Sequence, residues 1–304
     1  MTDVLFGAVL PIFAVAALGF AAGRTGLFDH AMALTINRFV FYLPLPALTF
    51  SLLANAQFDQ FNWTLLIGYF LSEGAVYLLA LSIARYVFKR DLREAILLGF
   101  AAAYSNHVLF VLPIAVVLFG DAVTLPIVAI ITVDTLIMFG LTMVAMDVLT
   151  LERASVTGVV SKLSKNPTIV GMLLGLAFGL LGVQLPTGIG VFLDFVSATA
   201  APCSLFALGI VLANRNQPVP LALPLTVSAI KVVVHPLIAL GILVFGYQVT
   251  PELARPALMA AAGPCGAMAF VLAMNYQVRV DVIARAILFT MVASVLTVSL
   301  MAGY

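Results

Sequence analysis

The chain has 304 residues, of which 63% are hydrophobic and only 9% are charged. Soluble domains have about 45–50% apolar and about 25% charged residues, so this composition excludes a soluble protein and predicts an integral membrane protein. The net charge of +1 gives no sign of nucleic-acid binding. The two cysteines, Cys203 and Cys265, form no disulfide or metal pattern, and we predict no cofactor. Only Thr2 and Asp3 precede the first apolar run, so no cleavable signal peptide is expected.

Ten apolar runs follow one another along the chain, separated by charges, prolines and polar clusters. They lie near residues 4–22, 32–54, 62–88, 93–119, 122–149, 167–184, 188–213, 219–246, 254–277 and 281–302. Each is continuous over about 20 residues, which suits a spanning helix and not the alternating pattern of a β-barrel strand. We therefore predict an all-α membrane protein with ten transmembrane helices.

The positive charges are distributed unevenly between the connections. Twelve of the 14 Lys and Arg residues lie in or beside the connections that follow spans one, three, five, seven and nine. Lys and Arg accumulate on the cytoplasmic side of a membrane protein. This predicts a multi-pass protein of the cell (inner) membrane with both termini outside the cytoplasm.

Short segments recur at a nearly constant offset. Phe110-Val111-Leu112 in span four recurs 160 residues later as Phe270-Val271-Leu272, and Phe39-Val40 in span two recurs as Phe195-Val196 at an offset of 156. A repeat of five spans must enter the bilayer from opposite sides, which is the inverted-repeat design of many secondary transporters. We predict inverted repeats over residues 1–150 and 166–304.

Spans four and nine carry polar and helix-breaking residues near their middle. Prolines and glycines allow a membrane helix to unwind, and the helix ends that result present positive N-termini to an anion. Simple kinks are the alternative for each proline, but two breaks at related positions favour a site. The predicted breaks are at Pro113 and Pro264, and the predicted substrate-binding residues are Ser105, Asn106, His107, Gly263, Pro264, Cys265 and Gly266.

Buried charges are costly in a membrane and therefore informative. Glu73 in span three, Asp134 in span five and Lys231 in span eight are predicted to act in coupling or in charge balance, and Glu73 and Lys231 are 158 residues apart. The alternative is an ion pair that only joins helices. Asp147 lies near a span end and is expected to be solvated, while His235 is expected to form a helix-packing hydrogen bond.

These features together resemble the auxin efflux carrier family, which includes plant auxin carriers and bacterial relatives assigned to malate, malonate or other organic anions. Asn106, Pro113 and Pro264 match the family's crossing helices, and Glu73 resembles an acidic residue of span three in plant carriers. The resemblance implies a fold shared with bile-acid sodium symporters. It also implies a scaffold of helices one, two, six and seven that often dimerises, and a transport domain of helices three to five and eight to ten.

The predicted function is alternating-access transport of a small organic anion, without sodium and with a pH dependence set by Glu73. Lys231 either holds the region of the two crossing helices together or attracts the anion. A passive uniporter or channel-like facilitator of the same fold stays open as an alternative. An intramembrane hydrolase is disfavoured because Ser105 and His107, two residues apart on a helix, point in different directions.

Overall fold

A computed structural model describes residues 10–151, 155–213 and 220–304, without the side chains of residues 121 and 122. Residues 4–9 of predicted span one, together with Arg153 and Arg215, lie outside the described residues. The described part is helical, and its only bridge of β type joins Ser105 to Cys265. The predicted all-α class is therefore confirmed.

The α-helices are labelled here in chain order. They are α1 (Leu10–Arg24), α2 (His30–Tyr42), α3 (Pro44–Ala54), α4 (Trp63–Ser82), α5 (Leu92–Ala103), α6 (Leu112–Phe119), α7 (Thr124–Asp134), α8 (Gly140–Val148), α9 (Val156–Ser164), α10 (Pro167–Leu181), α11 (Thr187–Ser197), α12 (Ala200–Ala213), α13 (Ala222–Ala229), α14 (His235–Leu240), α15 (Pro251–Ala262), α16 (Met268–Asn275) and α17 (Asp281–Ala302).

Six helical segments of the described chain are long and apolar enough to cross a membrane. They are His30–Ala54, Trp63–Val87, Thr124–Val148, Thr187–Ala213, Ala222–Gly246 and Asp281–Ala302. A seventh candidate is α10 with α9, which meet at a bend of 82°. Spans one, four and nine coincide with shorter helices, since α1 has 15 described residues and spans four and nine are interrupted. The protein is a multi-pass membrane protein, and the number of ten spans stays a prediction.

Polar residues just before the helices fix where several of them begin. Asp29, Asn62, Asp91 and Asn166 each accept a hydrogen bond from a backbone N–H in the first turn that follows. Such caps satisfy N–H groups that have no partner within the helix. The caps therefore mark the short connections between apolar runs.

The helices other than α9 pack in two groups, and α9 contacts α8 of one group and α10 of the other. The first packing group contains α1–α3 and α10–α12, and the second contains α4–α8 and α13–α17. Small residues bring helices of the first group together: a Cβ atom at Gly19 would lie 2.1 Å from the carbonyl oxygen of Phe206, and one at Gly209 would lie 2.1 Å from that of Ala16. Close backbone approach at glycine is typical of membrane helix packing.

Wider π turns interrupt several spans of the described chain. They cover Ile83–Val87, His107–Val111, Thr135–Phe139, Ile230–Val234 and Gly241–Gly246. Two of these turns end just before a helix whose second residue is proline, Pro113 in α6 and Pro236 in α14. Proline lacks an N–H and clashes with a carbonyl in the preceding turn, and an extra residue in that turn relieves the conflict.

The prediction of a helix break at Pro113 was therefore wrong. The chain leaves the helical path at residues 104–106, before the π turn that leads into α6. Pro113 lies inside the resumed helix. Pro264, by contrast, lies within the interruption between α15 and α16.

Candidate functional site

The two interruptions meet in the interior of the molecule. Residues 104–106 separate α5 from the turn that precedes α6, and residues 263–267 separate α15 from α16. The contact between these two segments is called the crossing. The Asn106 N–H donates to the Pro264 carbonyl, and the Gly266 N–H donates to the Tyr104 carbonyl, both at 2.9 Å. Each interruption thus supplies partners for backbone groups that the other frees, which irregular backbone requires inside a membrane.

Two glycines allow this close approach. A Cβ atom on Gly266 would lie 2.6 Å from Cδ1 of Tyr104, and one on Gly263 would lie 2.6 Å from a methyl group of Val111. The Cys265 N–H donates to the Thr290 hydroxyl at 3.0 Å. The predicted residues Gly263 and Cys265 therefore lie where the crossing is held together.

Ser105 also contributes to the crossing. Its hydroxyl donates to the Ala260 carbonyl at 2.6 Å and so ties the first interruption to α15. No hydrogen bond joins Ser105 to His107 among the described residues, and His107 contacts Asp134 instead. The two side chains do not form a nucleophile and base pair.

A cavity of about 240 Å³ lies beside the crossing, between the two packing groups. The helical segments that follow the two interruptions begin at the wall of this cavity, since residues 107–109 and 266–268 line it. Most of its other lining is apolar. Of the predicted binding residues, the cavity is lined by Ser105, Asn106, His107 and Gly266, whereas Gly263, Pro264 and Cys265 are not among its lining residues.

Two polar groups at this cavity have no hydrogen-bond partner in the described structure. They are the side-chain nitrogen Nδ2 of Asn106 and the ring nitrogen Nδ1 of His107. Asn106 is 9% exposed and His107 is 2% exposed. A buried donor without a partner is costly, so the amide of Asn106 can gain a hydrogen bond from an acceptor that comes within its reach.

A buried ionisable cluster lies behind His107. Nε2 of His107 and Oδ2 of Asp134 are 2.5 Å apart, and Glu73 is fully buried within reach of the Asp134 carboxyl group. Neither oxygen of Glu73, nor Oδ1 of Asp134, has a hydrogen-bond partner in the described structure. His107 therefore connects the cavity to a pair of carboxyl groups.

Lys231 lies in the interior and is not among the residues that line the cavity. Its ammonium group donates to the Ala103 carbonyl at 2.7 Å, at the C-terminal end of α5, and lies 3.0 Å from Nδ1 of His235. A cation at a helix C-terminus offsets the negative end of the helix dipole. Its contacts are those of a residue that holds the first interruption. His235 bonds only to Lys231 of its own span, and its Nε2 has no partner in the described structure, so the expected helix-packing hydrogen bond is not seen. No ion pair within 4 Å joins Lys231 to Glu73 in the described chain.

The expectation that Asp147 is solvated was wrong. Asp147 is only 3% exposed, and its carboxylate accepts from Nδ2 of Asn166 at 2.8 Å and from the Tyr276 hydroxyl at 3.0 Å. These partners come from α10 and α16 and enclose a residue that lies near the end of its own span. Position along a span did not predict this burial.

Sequence reasoning also missed Tyr104 and three smaller hydroxyl residues of the cavity, Thr49, Thr135 and Ser197. Thr49 and Ser197 bond to carbonyls of their own helices, as isolated hydroxyl residues in apolar spans commonly do. Thr135 follows Asp134 directly, and that neighbour was its only signal. Two of these residues come from the first packing group, which therefore forms one wall of the cavity.

Comparison with known proteins supplies an independent view of the chain. Residues 4–302 match the family model described as "Membrane transport protein". A protein of Rhizobium meliloti (strain 1021) named "Putative malonate transporter" is 29% identical over 304 residues, which cover 96% of this chain and 93% of that protein. An "Uncharacterized transporter" of Methanothermobacter thermautotrophicus is 28% identical over 311 residues, covering 96% and 95%.

Proposed function

The chain belongs to this family of membrane transport proteins, the auxin efflux carrier-like family, and from that premise we propose that it carries a small organic anion across the cell membrane. The proposed substrate is a carboxylate such as malonate, in line with the name of the Rhizobium meliloti relative. The family match and the names of the relatives point to a transporter rather than an enzyme.

The observation that carries the proposal is the unpartnered amide of Asn106 at the cavity wall. A carboxylate oxygen that accepts from this amide would satisfy a donor that otherwise stays buried without a partner. Ligand sites are typically apolar cavities with a few convergent polar groups, and Asn106 and His107 provide such groups here.

The starts of the two resumed helical segments support an anion as the ligand. His107 begins the turn that leads into α6, and Gly266 precedes α16, and both residues line the cavity. The N-terminal end of a helix carries a positive partial charge that favours anions. Two such ends at one cavity favour a carboxylate over a cation.

The cavity also lies between the two packing groups, with Thr49 and Ser197 on one side and the crossing on the other. We propose that the first group is a scaffold and that the second moves against it to expose the site alternately to each side. The ten spans, the five-plus-five inverted repeat, the outward termini and a homodimer through the scaffold belong to this proposal.

Coupling in this proposal is to protons and takes place at Glu73. The ionisable and charged groups around it are Asp134, His107, Lys231, Tyr69 and Tyr104. Because His107 reaches both the cavity and Asp134, binding of an anion at His107 changes the electrostatic surroundings of the carboxyl pair. Lys231 supplies a fixed positive charge nearby, and transport therefore proceeds without sodium.

The test is uptake of radiolabelled malonate by proteoliposomes that contain the wild-type protein, Asn106→Ala or Asn106→Asp. Both variants are expected to lose saturable uptake, since one lacks the amide and the other places a carboxylate beside an anion. Asn55→Ala is the matched control, because Asn55 is exposed and is not among the residues that line the cavity.

Thermal unfolding separates binding from folding in this test. We expect Asn106→Ala to unfold close to the wild-type temperature, because its Nδ2 forms no hydrogen bond in the described structure. An equal loss of stability and uptake would make Asn106 a structural residue and contradict the proposal. Uptake that does not respond to imposed proton or sodium gradients would instead identify a passive uniporter.

A further inference from the structure

A polar cavity of about 440 Å³ lies at the end of the molecule that carries the positively charged connections. Its wall includes the start of α5, the end of α8, the connection between α9 and α10, and the end of α16. It shares no lining residue with the cavity beside the crossing. The two cavities are therefore separate sites on the boundary between the packing groups.

The charges around this polar cavity do not balance. Arg93, Lys162 and Lys165 line it together with one carboxylate, Asp147. Both oxygens of Asp147 already accept hydrogen bonds, from Asn166 and from the Tyr276 hydroxyl. None of the three cations forms an ion pair within 4 Å in the described part of the chain. An excess of two positive charges matches a doubly charged anion.

Arg93 makes the cavity more than a set of surface lysines. It lies in the first turn of α5, and its guanidinium donates to the Tyr276 carbonyl through Nη2. Its Nε is buried and has no hydrogen-bond partner. The guanidinium is thus fixed in position at the wall while part of its hydrogen-bonding capacity is unused, and guanidinium groups bind carboxylates and phosphates well.

The cations come from both sides of the boundary. Arg93 belongs to the second packing group, whereas Lys165 directly precedes Asn166, the residue that caps α10 in the first group. The capped N-terminus of α10 adds positive potential at the same place. An anion held by Arg93 and Lys165 together would bridge the two packing groups.

We propose that this polar cavity is a second anion-binding site, which holds a small dianion such as a dicarboxylate between the two packing groups. A ligand that contacts both groups stabilises the arrangement in which they meet. The binding itself does not depend on the proposed transport function.

The experiment measures binding of radiolabelled malonate to the purified full-length protein by equilibrium dialysis at low ionic strength. We expect two molecules per wild-type chain, one for Asn106→Ala, one for the double variant Lys162→Gln/Lys165→Gln, and none for the combined variant. Malonate should also raise the unfolding temperature of Asn106→Ala but not that of the combined variant.

The matched control is Arg38→Gln/Lys89→Gln, which removes two exposed positive charges without changing the lining of the cavity. If the control loses the second molecule as fully as Lys162→Gln/Lys165→Gln, general surface charge explains the binding and the proposal is overturned. If Asn106→Ala alone removes all malonate binding, there is one site and the proposal is overturned as well. Transport that survives in Asn106→Ala contradicts the proposed function but leaves the second site standing.

Anionic lipid headgroups could bind the same positive charges as a free dianion. A binding experiment in nanodiscs distinguishes the two ligands. The Asn106→Ala protein is placed in phosphatidylcholine discs and in discs that also contain phosphatidylglycerol. Equal binding of one malonate in both is the expected result. Binding that disappears only in the phosphatidylglycerol discs would assign the cavity to a lipid and overturn the proposal for a free dianion.

Discussion

The two helix interruptions have similar backbone geometry but different chemical surroundings. At the first, the terminal carbonyl of α5 at Ala103 accepts from the ammonium group of Lys231. At the second, the terminal carbonyl of α15 at Ala262 accepts from the hydroxyl of Thr297. The first interruption thus depends on a buried charge, and the second on a neutral hydrogen bond.

The difference extends to the neighbouring residues. Behind the first interruption lie His107, Asp134 and Glu73, all of which can change charge. Beside the second lies the hydroxyl group of Thr290, which accepts from the Cys265 N–H. The shared backbone geometry therefore requires no particular side-chain chemistry, and ionisable residues are concentrated at the first interruption.

The largest effect is expected when the charge of Lys231 is removed. Lys231→Met keeps the length of the side chain but removes the donor to Ala103 and the partner of His235. Loss of a buried charged hydrogen bond costs about 1.5–3 kcal/mol, so malonate flux should fall by about tenfold or more. Proteoliposome uptake, normalised to the amount of folded protein, measures this. Wild-type flux in Lys231→Met would show that the charge is dispensable at the first interruption.

The next largest effect is expected at Gly266, where the two interruptions are in close contact. Gly266→Ala places a methyl group 2.6 Å from the ring of Tyr104, and overpacking of this kind costs about 1–3 kcal/mol. Lower thermal stability and several-fold lower uptake are expected. Gly74→Ala is the control, since a Cβ there meets no atom within 4 Å. If both variants behave alike, the crossing is looser than its geometry indicates.

A smaller effect is expected at Glu73, one of the ionisable residues behind the first interruption. Glu73→Gln retains the shape of the side chain but cannot exchange a proton, so the pH dependence of malonate uptake should flatten while uptake at one pH persists. Initial rates between pH 5 and pH 8 measure the profile. Asp194→Asn, which changes an exposed carboxylate, should keep the wild-type profile. A pH profile that survives in Glu73→Gln would place the proton elsewhere.

The smallest effect is expected at the neutral hydrogen bond. Thr297→Val removes the donor to the Ala262 carbonyl while keeping the volume of the side chain. Hydrogen bonds between membrane helices contribute about 0.6 kcal/mol on average, so stability should change little and uptake should stay near wild type. A loss as large as that of Lys231→Met would remove the distinction between the two interruptions.

The sequence predicted an all-helical membrane protein, because continuous apolar runs are a strong signal. It placed one break at Pro264, which does lie in an interruption, but placed the other at Pro113 instead of residues 104–106. It also identified Glu73, Asp134 and Lys231 as buried charges, since charge is rare in apolar spans. It was less informative where the outcome depends on distant partners. The burial of Asp147 depends on Asn166 and Tyr276.

Two other features depend on local geometry that residue types do not specify. Pro113 was expected to break its helix, but the π turn before it accommodates the missing hydrogen bond. The contact between Lys231 and Ala103 depends on where α5 ends, which the apolar run 93–119 does not show. The side-chain roles proposed for the cavity remain predictions.

The fully buried thiol of Cys265 provides a built-in reporter at the crossing. In a Cys203→Ser background it is the chain's single cysteine. A maleimide reagent cannot reach it while the two interruptions stay together. Protection throughout the transport cycle would mean that the second packing group moves as one rigid unit, whereas labelling that increases with malonate would mean that the crossing itself opens.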